Sequence, residues 1–97
     1  MSFAERIIRE GGKDSKSRIN WALNAALSRQ GNEKEIKILS ELQTKQFTRY
    51  NTDANAANEL NTVGIKIPPK DIPPAELASW TTVARTILNL HETITRH

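Results

Sequence analysis

Ala75-Glu76-Leu77-Ala78-Ser79-Trp80-Thr81-Thr82-Val83-Ala84-Arg85-Thr86-Ile87-Leu88-Asn89-Leu90-His91-Glu92 is the stretch whose periodicity decides the fold. At roughly 100° per residue, Leu77, Trp80, Ala84, Ile87, His91 and Ile94 fall on one stripe, flanked by Val83, Leu88 and Leu90. That stripe predicts a helix with a core-facing side. Arg85, Asn89, Glu92 and Arg96 fall together on the opposite side, and Glu92 precedes Arg96 by the favourable four residues. Pro74 stands where a first helical residue needs no N–H, and Glu76 suits the first turn.

Upstream, the helix starts are written in capping residues. Ser2 with Glu5, and Asn32 with Glu35, have capping-box spacing. Asp14 or Ser15 opens a second helix carrying Ile19, Ala22, Leu23, Ala26 and Leu27, expected to stop around Gln30-Gly31. The third helix spreads Ile36, Leu39, Leu42, Phe47 and Tyr50 over one broad face to about Asn51. Asp53 caps a fourth, whose Ala56, Ala57, Leu60 and Val63 end at Gly64 and whose alanines imply a close neighbour. Gly11-Gly12 can end the first helix in the left-handed conformation. Residues 65–74, Ile-Lys-Ile-Pro-Pro-Lys-Asp-Ile-Pro-Pro, read as a non-helical crossing strap, because proline lacks a donor and pushes its predecessor to extended geometry. No segment shows strand alternation. The fold class is all-α: a compact bundle of about five helices with a Pro-rich strap before the last.

The chain's 97 residues are one domain's worth, and its 37% hydrophobic share implies a modest core beside the roughly 45–50% of ordinary globular chains. Eight asparagines add little buried area. The absence of cysteine excludes disulfides, thiolate catalysis, Cys-ligated zinc and a C-x-x-C-H haem box, and leaves the compartment open. No run approaches a membrane span and no signal-peptide core follows Met1. The formal charge of +3 is interleaved along the chain and reads as a solubility charge.

Candidate chemistry is sparse. Ser28, Ser40 and Ser79 lack a nucleophile-elbow setting, and no Gly-rich phosphate loop follows a strand. His91 has neither a catalytic partner nor further ligands at metal spacing, the other histidine being His97, and is read as a packed or rim residue. No cofactor or metal is expected, and no small-molecule ligand is evident. Trp21 projects away from its helix's apolar stripe and is a possible contact residue, although a central helix touching neighbours on two sides is the favoured explanation. Arg29 and Glu35 bracket one turn and are expected to clasp across it. Lys13, Lys16 and Arg18 form the nearest approach to a basic patch.

In order along the chain, residues 3–12 (Phe-Ala-Glu-Arg-Ile-Ile-Arg-Glu-Gly-Gly), Ala26-Leu27-Ser28-Arg29 before an acid-rich helix start, residues 60–64 and above all residues 75–92 resemble one family. It is the large planctomycete-type family of exported proteins that pair domains of unknown function with an N-terminal cytochrome-c-like domain. The chain resembles its C-terminal part over nearly the whole length. Arg85, Asn89 and Glu92 match the family's Arg…Asn-Leu-x-Glu pattern; Gly31 stands where proline is usual and His91 where Asp or Asn is. The resemblance implies an exported or periplasmic parent and no established activity, and with the haem box absent no haem function carries over.

Together these readings give residues 1–97 as a single helical domain excised from the C-terminal end of a larger protein. The expected function is non-catalytic: a module supporting or docking onto other domains of the same parent through an interdomain face of Arg85, Asn89 and Glu92. Two alternatives stand beside it. One is a weak nucleic-acid-binding domain, prompted by a pI near 9.5 and the Lys13/Lys16/Arg18 cluster. The other is one wall of an enzyme site completed by missing domains.

Overall fold

The computed structural model describes residues 2–29, 31–64 and 70–95, with side chains omitted at 62–64 and 91–95. Five helices follow in order: α1 (Phe3–Glu10), α2 (Ser15–Leu27), α3 (Glu33–Thr52), α4 (Ala54–Gly64) and α5 (Pro74–Thr95). No strand occurs among the described residues.

Each of the first four helices starts where its cap places it. Ser2 Oγ accepts the Glu5 N–H at 3.1 Å, and Asp14 Oδ1 accepts that of Ser17 at 2.7 Å. Asn32 and Glu35 complete a reciprocal box, with Glu35 N–H on Asn32 Oδ1 at 2.8 Å and Asn32 N–H on Glu35 Oε1 at 3.2 Å. Asp53 Oδ1 accepts the Ala56 N–H at 3.1 Å. These bonds satisfy N–H groups that the first turn of a helix leaves without partners.

Helix ends depart more from expectation. α2 stops at Leu27, short of Gln30-Gly31, because Ser28 itself takes the left-handed conformation at φ 57° while its N–H still reaches the Asn24 carbonyl. After α1 the left-handed residue is Gly12 (φ 100°), not Gly11. Gly11 serves a different need: a Cβ there would lie 2.5 Å from the Ile7 carbonyl oxygen and 2.9 Å from Arg18 Cα, so α1 and α2 meet over a glycine.

α5 packs against all four other helices. Its first half is therefore buried almost all round, including Leu77, Ala78, Ser79, Trp80 and Thr81 in succession. The principal core gathers Ile7, Ile19, Leu23, Leu39, Trp80, Val83 and Ile87, among others, from α1, α2, α3 and α5. A second cluster joins Tyr50, Ala57, Ala75 and Ala78, where alanines let α4 lie close on α5. Hydroxyls inside α5 are satisfied locally, Thr81 Oγ1 donating to the Leu77 carbonyl at 2.8 Å.

Of the strap, 65–69 lie outside the described residues, so its expected extended geometry there goes without description. Its end is anchored: Ile72 is buried, and Asp71 takes both terminal nitrogens of Arg9 at 2.9 Å. Pro74 is the first residue of α5.

Candidate interaction site on the last helix

The second half of α5 differs from the first. Ile87 remains fully buried, but Leu88 and Leu90, expected to flank the core, are 46% and 38% exposed. Leu88 stands about 100° to one side of Ile87 and Leu90 about 60° to the other. Between them on the outward ridge stand Arg85 and Asn89, both exposed. Asn89 engages in an interaction within the chain. Glu92 belongs to the same helix, but its side chain and that of His91 lie outside what is described.

Two grooves run along this half. On one side, Glu35, Ile38 and Leu39 of α3 with Thr86 and Leu90 of α5 line an apolar groove of about 240 Å³, with Ile38 55% exposed at its edge. The single charge in its lining among the described residues, Glu35, is committed elsewhere. Arg29 donates from both terminal nitrogens to its two oxygens at 2.8 Å, the clasp expected from spacing, and holds the carboxyl down to about 2 from an ordinary 4.5. On the other side, Phe3 and Ala4 of α1 with Thr81, Ala84, Arg85 and Leu88 of α5 shape a groove of about 290 Å³, closed at one end by Ser2.

Trp21 is partly buried rather than presented to solvent. Its ring lies 6.3 Å from that of Phe3, and the Arg6 guanidinium sits over it at 5.4 Å. The indole wedges α2 against α1.

The basic cluster does not persist as a patch. Arg18 donates from Nε to the Gly12 carbonyl at 3.1 Å and from Nη1 to Glu76 Oε1 at 2.9 Å, with its guanidinium 5.6 Å from the Trp80 ring centre. Lys13 and Lys16 are left exposed.

One cluster goes unforeseen in the sequence. Ser15 Oγ donates to Gln43 Oε1 at 3.2 Å, Gln43 Nε2 to Ser79 Oγ at 3.2 Å, and Ser79 Oγ to the Glu76 carbonyl at 2.8 Å. Ser15 and Gln43 border, with Arg18, Glu76 and Trp80, a cleft of about 480 Å³. A signal existed: Gln43 sits in register with Ile36, Leu39 and Tyr50 on the buried face of α3, a polar residue in an apolar stripe. Its hydrogen bonds are internal and its ionic groups pair with each other, which makes the cluster a polar joint among α2, α3 and α5.

Among the described residues no three His, Cys, Asp or Glu side chains are grouped to hold a metal ion, and no helix is long and apolar enough to cross a membrane. Comparison of the chain with models of protein families, with curated proteins and with solved structures finds no match.

Proposed function

We propose that this chain is a non-catalytic helical module that docks onto other domains of a larger exported protein, of the planctomycete-type family whose C-terminal part it resembles. The observation carrying this reading is the half-exposed second half of α5. Leu88 on one side, and Leu90 with Ile38 on the other, keep large apolar surface in water while the same helix buries Ile87 completely. Exposed apolar side chains scattered singly are ordinary, but three around one helix end beside two grooves form a surface suited to association. Arg85 and Asn89 supply a polar ridge between them, as interfaces that mix apolar contact with polar register do.

The coding frame is accordingly expected to remain open upstream of Met1; an in-frame stop closely preceding it would contradict the reading. In the chain alone, Leu88→Glu with Leu90→Glu should leave the thermal midpoint within about 3 °C, since both side chains already face water. The same pair should destroy docking of the chain to the separately produced remainder of the encoded protein. Unaltered docking by the folded double variant would overturn the proposal.

A further inference from the structure

The groove between α1 and α5 has a mostly apolar lining and one charge. Ala4 and Ala84 are buried and small, which leaves room for a concavity, and the larger Phe3 and Leu88 share its lining. Among the described residues Arg85 is the only ionic group in the lining, and it forms no ion pair with any of them. α5 carries no carboxylate between Glu76 and Glu92, and Glu5, which follows Ala4 in α1, is held by Arg9 at 3.2 Å. An apolar depression bordered by a guanidinium that no described carboxylate pairs is complementary to an apolar side chain whose neighbour on the same face is an acid. The groove on the other side of α5 lacks this selectivity, because its one charge is already neutralised by Arg29.

We propose that the α1/α5 groove receives an acidic amphipathic helix of a partner segment. One large apolar side chain of that helix seats on Ala4 and Ala84 between Phe3 and Leu88. A carboxylate one turn away, at i±3 or i±4, pairs with Arg85. This rests on the docking reading above and adds to it the location and the chemistry of the partner. The helix-in-groove mode supplies the spacing, since apolar anchors and their charged neighbours recur on one face of a helix at three and four residues. The arginine confers sign selectivity more than affinity.

The test titrates the isotopically labelled chain with an acetylated, amidated helical peptide bearing leucines at i, i+3 and i+7 and glutamates beside them, and with its counterpart carrying lysines. The glutamate peptide is expected to shift the NMR signals of Phe3, Ala4, Ala84, Arg85 and Leu88, and to bind about five-fold or more tightly than the lysine peptide, as exposed charge pairs allow. Arg85→Glu, on an exposed position, should reverse that preference, and Leu88→Ser should weaken both peptides alike. Equal binding of the two peptides, absence of binding, or shifts centred on Ile38 and Leu90 would overturn this assignment. The docking of the chain to the remainder of its protein is read in a separate experiment and can survive that failure. Shifts of the same groove residues on concentrating the chain alone would assign the groove to a second copy and likewise overturn the proposal.

Discussion

Protonating Glu35 removes three interactions at once. Its carboxylate accepts both terminal nitrogens of Arg29 and the backbone N–H of Asn32. Because the folded value of about 2 lies below the ordinary 4.5, the stabilisation is complete above the unfolded value and is lost as pH falls through about 2. Carbon-detected NMR should therefore place the Glu35 carboxyl titration near 2, and Arg29→Ala should return it toward the ordinary carboxylate range. An unchanged value in that variant would mean that Asn32, not Arg29, governs the site. This clasp was legible from spacing because its two residues lie six apart. Arg18 and Glu76 lie 58 apart, so their pairing depends on the packing of α2 on α5, which no local pattern records. Read as a member of a basic cluster, Arg18 is instead a joint between helices. Trp21 is a related case: periodicity marks it as off-stripe without naming α1 as the neighbour that covers it.

At the scale of elements, the first half of α5 builds the fold and the second half offers a surface. Ile87→Ala should cost about 2–5 kcal/mol in urea unfolding, as truncations in close-packed cores do. Leu90→Ala, three residues on, should stay within about 0.5 kcal/mol. Comparable losses at both positions would contradict the division of the helix. Asn32→Ala should cost about 1 kcal/mol through loss of the cap on α3. The helix starts were readable because caps are local chemistry, settled by a side chain and an N–H three residues apart. The exposure of Leu88 and Leu90 was not, since an apolar period says which residues avoid water and not which neighbour covers them. The same applies to the end of α2, where Ser28 adopts a left-handed conformation better suited to glycine or asparagine.

As a whole molecule, the chain has a radius of gyration of 12.9 Å, matching the roughly 13 Å of a compact domain near 100 residues. Its lean core is gathered around one central helix rather than spread through an even bundle. Among the described residues the Lys13/Lys16/Arg18 cluster is broken up, because Arg18 is drawn into the joint with Glu76. Duplex DNA should consequently show no measurable binding even at low salt; binding that weakens steeply as salt rises would revive the nucleic-acid alternative. All-α class, the number of helices and the capping residues could be read from the chain. The grooves beside α5 could not, since they arise from alanines of α1 and α5 and an isoleucine of α3 brought together only by packing.

The absence of cysteine makes single-thiol labelling a direct probe of the outward half of α5. Leu88→Cys and Leu90→Cys should react with a maleimide at nearly the rate of a free thiol in the isolated chain. In the full encoded protein both should slow by on the order of ten-fold or more, as an apolar interface excludes reagent along with water. Equal rates in the two contexts would show that this face stays in solvent, and would contradict the docking role.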